Sequence, residues 1–168
     1  MLFRSTGNPG QNVNGISLRD IVIRSMGTGT SEYAKKPVPE RPDAYAQNNM
    51  YGYTLPAHGL YVRHAENLTL ENIQLYADAP DVRPAMILED VSNVRLNNFQ
   101  GDNPSGELPF MKIIDGSKIS ISGFRQNKNA PVNFLECVGN SRKIELLHND
   151  FEGVKRVVKA ADGAVIQK

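Results

Sequence analysis

The side chains able to do chemistry are few and scattered. Histidine stands only at 58, 64 and 148, and the single cysteine is Cys137. A lone thiol excludes an internal disulfide and a cysteine-based zinc site, and dispersed histidines give no metal-ligand spacing. No metal and no cofactor is therefore expected. Carboxylates come in two close sets. Asp78 and Asp81 flank Pro80, where aspartate serves turn geometry. Glu89 and Asp90 are adjacent, and alternation along a strand would point them apart. Neither set reads as a general acid and base, so no catalytic residue is assigned. Lys35-Lys36 and Lys155-Arg156 are too short for a nucleic-acid patch, and 19 basic against 18 acidic residues leave a net charge of only +1. What remains is His58, Tyr61, Arg63 and His64: two imidazoles, an aromatic ring, and a guanidinium able to pair with a carboxylate in bidentate fashion.

The elements that must carry these residues come from a repeat. Gly15-Ile-Ser-Leu-Arg-Asp-Ile21, Asn67-Leu-Thr-Leu-Glu-Asn-Ile73, Asn93-Val-Arg-Leu-Asn-Asn-Phe99 and Lys118-Ile-Ser-Ile-Ser-Gly-Phe124 align without gaps. A looser fifth copy is Glu145-Leu-Leu-His-Asn-Asp-Phe151, with His148 at an apolar position and Asp150 at the turn position otherwise held by Asp20, Asn72, Asn98 and Gly123. The steps are 26 residues from Leu68 to Val94, 25 to Ile119 and 27 to Leu146. A shorter strand precedes three of the copies: Leu60 to Arg63, Met86 to Glu89 and Met111 to Ile114. Both strands alternate with period two, and the prolines at 56, 80, 84, 104, 109 and 131 fall between strand pairs. The sixteen asparagines suit a chain of tight turns.

A coil this short cannot bury its own apolar face, so coils must stack. The fold expected is all-β, a right-handed parallel β-helix of about five coils. Inward columns should be Leu60/Met86/Met111, Val62/Leu88/Ile113, Leu68/Val94/Ile119 and Ile73/Phe99/Phe124, with Arg63 beside Glu89 and an Asn72–Asn98 amide ladder outside. Leucine-rich repeats fit worse, because asparagine follows the strand leucine by four residues and not five. Cys137 reads as a small inward hydrophobe. All 168 residues form one domain, with an irregular insertion over 27–56 that holds three prolines within 35–42 and then Tyr45, Tyr51 and Tyr53. No apolar run approaches the roughly 20 residues of a membrane span, and the first residues lack the apolar core of a signal peptide.

One string of short motifs resembles a known family. Gly7-Asn-Pro-Gly10 with Asn12-Val13, Val38-Pro-Glu40, Met50-Tyr-Gly52, Leu55-Pro-Ala-His-Gly-Leu-Tyr-Val-Arg-His64, Asp81-Val-Arg-Pro-Ala85 and Glu89-Asp-Val91 together resemble the later coils of bacterial polygalacturonase-like enzymes, family 28 of the glycoside hydrolases. The likeness covers roughly residues 7–100. It implies a right-handed parallel β-helix acting on galacturonan-type bonds of pectin by inverting hydrolysis, in which two carboxyl groups about 6.5–9.5 Å apart do the chemistry. The family carries these on Asn-Thr-Asp and Asp-Asp motifs, followed by Gly-His-Gly and Arg-Ile-Lys. The carboxylate motifs and Arg-Ile-Lys are absent here, and Ala57-His58-Gly59 lies inside a string that follows the catalytic region in those enzymes.

The resemblance therefore implies a C-terminal portion of such an enzyme, its catalytic coils missing, inactive alone and belonging to an extracellular or periplasmic parent. Its partner would be an acidic plant polysaccharide. His58 would contact a sugar carboxylate or else cap a turn. Tyr61 would stack on a pyranose ring or be an ordinary outward tyrosine, and Arg63 would grip a uronate or form a surface pair with Glu89. Tyr45, Tyr51 and Tyr53 would make a sugar platform or pin the loop. The alternative is a non-catalytic β-helix that binds carbohydrate or acts as an adhesin-like module. Calcium-dependent lyase chemistry lacks an acidic cluster. An unpaired first coil would also favour edge-to-edge self-association at Ile16–Ile23.

Overall fold

The computed structural model describes residues 3–41, 54–127, 130–161 and 164–167. They contain eleven strands, all joined in one sheet system, and one short helix. In chain order these are β1 (Phe3–Thr6), β2 (Val13–Asn14), β3 (Ser17–Ser25), α1 (Ser31–Lys35), β4 (Leu60–Ala77), β5 (Met86–Gly101), β6 (Pro109–Ile114), β7 (Ser117–Gln126), β8 (Asn133–Val138), β9 (Arg142–Leu147), β10 (Arg156–Lys159) and β11 (Val165–Gln167). Every strand pairing is parallel. The chain is a parallel β-helix of about four turns, one fewer than the five coils expected from the repeat.

Sharp corners let an 18-residue strand such as β4 wrap round a coil. Three columns of left-handed residues run down the solenoid. The first is His64, Asp90, Asp115 and Gly139; the second is Gly15, Asn67, Asn93, Lys118 and Lys143; the third is Asp20, Asn72, Asn98, Gly123 and His148. Their φ angles lie between 47° and 76°. Such backbone costs an ordinary residue about 1–2 kcal/mol, and asparagine and aspartate tolerate it best because their short side chains bond locally. Stacking supplies those bonds. Asn98 Nδ2 donates to Asn72 Oδ1 at 2.5 Å, and Asn72 Nδ2 to Asp20 at 2.7 Å. A second ladder, unforeseen in the sequence, runs from Asn93 to Asn67 (2.5 Å) and on to Asn14 (2.9 Å).

The expected inward columns stand in register: Leu60–Met86–Met111, Val62–Leu88–Ile113, Leu68–Val94–Ile119 and Ile73–Phe99–Phe124. All twelve residues are at most 2% exposed and belong to one core. Phe110 and Phe134 add a further stack beside Phe124, with the Phe124 and Phe134 ring centroids 4.6 Å apart. Cys137 pairs with Ile113 in the same core. Burial pushes its thiol up to about 12.

The fifth repeat copy needs correction. Ile119 pairs with Ile144 and Ile121 with Leu146, so the step is 25 residues and the copy begins at Lys143. His148, not Asp150, takes the corner, with φ 53° and an exposed side chain. It is not an apolar-column residue. A shift of two residues leaves strand alternation unchanged, so the apolar pattern alone could not separate the two alignments.

The insertion is structured as far as it is described. Thr30 caps α1, its hydroxyl accepting from the Tyr33 amide. Residues 36–41 then run as an irregular strap, consistent with their prolines. Val38 of this strap packs on Leu55, Ala57, Tyr61 and Ile87, a second small core on the outside of the coil wall. Tyr45, Tyr51 and Tyr53 lie outside the described residues.

Candidate functional site

Strand β4 enters its coil at Leu60, and alternation sends Tyr61 and Arg63 outward while Leu60 and Val62 fill the core. Outward here does not mean exposed. Tyr61 is 0% and Arg63 1% exposed, because the strap lies across this face. The ordinary outward tyrosine of the sequence reading is thus buried. Its hydroxyl donates to Glu89 Oε2 at 2.6 Å, and burial first, then the Glu89 carboxylate, pushes its pKa far above the ordinary value of 10.0.

Arg63 stands beside Glu89 in register, as expected, yet its role as a surface ion pair with Glu89 is corrected. Its Nη1 lies 2.8 Å from Glu40 Oε1 and donates to Val38 O at 2.9 Å, while Nη2 donates to Pro39 O at 3.2 Å. The guanidinium staples the strap to the coil. His64 completes the staple from its corner: Nδ1 lies 2.7 Å from Asp90 Oδ2, and Nε2 lies 3.0 Å from Glu40 Oε1. Glu40 and Asp90 were not singled out as binding residues, although both fall within the resembling motif string.

A second charged knot holds the next loop. Asp81 is 3% exposed and receives the Arg83 backbone amide and guanidinium, together with the Gly29 amide at 2.9 Å. Burial alone would raise its pKa, but the bonds from Arg83 and Gly29 win and hold the carboxyl below the usual range. Any side chain at Gly29 would collide with Asp81 and Arg83. Arg83 also donates to Leu55 O at 3.1 Å, and the His58 amide donates to Pro84 O at 2.9 Å. The segments 38–40, 55–64, 81–85 and 89–91 therefore form one bonded unit. Sequence reasoning saw Asp81 as a turn residue; its burial and its arginine partner depend on a glycine 52 positions away.

Two cavities open beside this unit. One, of about 510 Å³, lies between the strap and the coil wall. Lys35, Lys36 and Lys112 line it together with Tyr61, Glu89 and Glu136, over apolar contributions from Ile87 and Ile114. Glu89 is engaged by Tyr61, and Glu136 by Lys159 at 2.6 Å and Lys112 at 3.8 Å. The other cavity, of about 380 Å³, is lined by His58 and the loops 77–81, 102–105 and 130–132. The three residues singled out as substrate-binding thus separate: Tyr61 lines the first cavity, His58 the second, and Arg63 fastens the strap. Among the described residues no group of three or more His, Cys, Asp or Glu side chains is placed to hold a metal ion.

No protein-family model matches this chain, and no curated protein or solved structure matches it either.

Proposed function

We propose that this chain supplies polysaccharide-holding coils of a polygalacturonase-like glycoside hydrolase that works outside the cytoplasm. It would grip an acidic, galacturonan-type strand in the strap groove and leave inverting cleavage to carboxylates that it does not carry. The observation that carries this reading is the groove itself, an open channel of about 510 Å³ with lysines on its rim and apolar side chains beneath. Lys35 and Lys36 are exposed at its edge, where ammonium groups attract anionic sugars at little desolvation cost. Four of the motifs behind the family resemblance, at 38–40, 55–64, 81–85 and 89–91, are joined in the unit that builds this wall. That is what a shared scaffold would preserve.

A second reading, a carbohydrate-binding module without turnover, draws support from one feature. Both groove glutamates are already paired, Glu89 with Tyr61 and Glu136 with Lys159. The two readings agree on binding and differ in what the chain works with. Calorimetric titration of the purified chain with oligogalacturonates is the test. Saturable binding without new reducing ends is expected, and it should weaken as salt rises. Replacing the exposed Lys35 and Lys36 and the half-buried Lys112 together by alanine should lower affinity by about tenfold, three pairs contributing a few tenths to 1 kcal/mol each. Equal affinity for a neutral galactan would overturn the acidic-substrate reading, and hydrolysis by the chain alone would overturn its scaffold role.

A further inference from the structure

The second corner column departs from its own pattern. It begins with Gly15, Asn67 and Asn93, residue types that tolerate left-handed backbone, and then places Lys118 and Lys143 there, at φ 56° and 55°. A lysine gains nothing from that conformation, because its long side chain does not bond its own backbone as asparagine does. Both lysines are exposed. Their neighbours pair in register, Ser117 with Arg142 and Ile119 with Ile144, so the two lysines stand one above the other on adjacent coils. Strands in a sheet lie about 4.8 Å apart, and like charges set opposite each other across strands are destabilising. Arg95, also exposed, carries the line one coil further, in register with Ser120. None of these three cations has an ion-pair partner among the described residues. Strained backbone and repulsion thus coincide at one place, and nothing among the described residues offsets them. Strain of this kind collects where a surface has work other than folding.

Two shallow depressions adjoin along this corner. One, of about 220 Å³, includes Asn67, Thr69, Asn93 and Arg95; the next, of about 280 Å³, includes Asn93, Arg95, Lys118, Ser120, Lys143 and Glu145. Asn93 and Arg95 belong to both, so the two continue as one trough across four coils. Three cations against the single carboxylate of Glu145 leave it positive. It contains no aromatic side chain on which a base could stack. Its apolar residues Leu68, Val94 and Ile119 are buried, so it offers no apolar face to a lipid surface. Thr69, Arg95, Ser120 and Glu145 form one outward column, which sets hydroxyls beside the charges. Cations that recur coil by coil among hydroxyls match a linear polyuronate, in which every sugar carries a carboxylate and free hydroxyls.

We propose that this trough, with Arg95, Lys118 and Lys143 as its cations, is a docking surface for a linear acidic polysaccharide lying along the solenoid axis. It lies beyond the His64–Asp90–Asp115 corner from the strap groove and does not depend on the function proposed for that groove. The polymer's carboxylates would offset the repulsion between the stacked lysines, which the fold by itself leaves standing.

Binding of the full chain to immobilised polygalacturonate would be measured by surface plasmon resonance in a Lys35→Ala/Lys36→Ala background, which removes the rim cations of the strap groove. Adding Lys118→Asn and Lys143→Asn should weaken the remaining binding about fivefold, the size of two exposed ion pairs. Removing the same charge at the exposed Lys155 and Arg156, also by asparagine, should change it by less than about twofold, because salt screens distant charges. Asparagine suits the corner backbone, so Lys118→Asn/Lys143→Asn should also raise the midpoint of urea denaturation. Stability and binding would then move in opposite directions, which a purely structural role does not produce. Unchanged affinity after the lysine substitutions would overturn the proposal, as would equal weakening at Lys155 and Arg156 or a fall in the urea midpoint. Absence of binding by the background chain would overturn it too, without bearing on the strap groove, whose rim lysines that chain lacks.

Discussion

The two long sides of this β-helix are stabilised in different ways. On the corner side, asparagine ladders and stacked apolar columns repeat the same interaction in coil after coil. Each rung touches only its neighbours, as in other solenoids. On the loop side the chain is irregular, and a few buried charged groups do the work: Arg63, helped by His64 at the adjoining corner, fastens the strap, and Asp81 binds Arg83 and Gly29. The corner side spreads its stability over many equivalent sites; the loop side concentrates it. Both cavities lie on the concentrated side. Repetition builds a rigid wall, and the departures from repetition are where side chains converge on space that a ligand could fill.

The comparison can be broken at Asp81. Its partner Arg83 is only 11% exposed in its side chain, so Asp81→Asn would leave a buried guanidinium uncompensated. The expected loss is about 3–5 kcal/mol, read by urea denaturation. The pH dependence gives an independent check. The folded-state pKa of Asp81 lies below its unfolded value, so within that window the unfolded chain binds more protons and stability rises with pH. The contribution is complete above the ordinary carboxylate range and disappears as pH falls through the lowered folded value. Asp81→Asn should therefore flatten the acid limb of the stability curve as well as lower its plateau. An unchanged acid limb would mean that other carboxylates carry it.

What the sequence disclosed follows the same division. The four inward columns and the Asn72–Asn98 ladder were legible because period two and a 25- or 26-residue step leave one consistent stacking. The one slip on this side, His148 against Asp150, came from a shift that preserves alternation, and only corner conformation separates the two. The loop side was legible as an insertion and as a motif string, but not as geometry. Alternation correctly sent Tyr61 and Arg63 outward; it could not say that a strap 24 positions upstream would lie over Arg63. Asp81 is the same case, since a turn aspartate and a buried anion differ only in what long-range folding places against them. His58 was singled out beside a strand, and its burial, at 1% exposure, is set by packing that its neighbours in sequence do not reveal.

The corner side should show the opposite response. Asn98 is exposed, sits at φ 52° and donates one ladder bond. Asn98→Ala forces an alanine into left-handed backbone and should cost about 1–2 kcal/mol. Asn98→Gly removes that strain and should cost only the hydrogen bond, about 0.5–1 kcal/mol. A loss at Asn98→Ala as large as that at Asp81 would end the contrast between distributed and concentrated stabilisation.

The smallest effect on stability, and the sharpest on behaviour, is expected at the edge strand. Among the described residues β3 pairs only with β4, so its other side presents unpaired N–H and C=O groups, a template for another chain. Val22 on this strand is 58% exposed and Met26 just beyond it 82%. Self-association through Ile16–Ile23 should appear in sedimentation velocity as a concentration-dependent shift. Val22→Lys should abolish it, because a charge placed on an edge must be desolvated before a second strand can add. The folding free energy should change by no more than about 0.5 kcal/mol, as for an ordinary surface substitution. A parent chain that sediments as a monomer at all concentrations would show that the exposed edge is protected without any partner, and the edge-pairing expectation would fall.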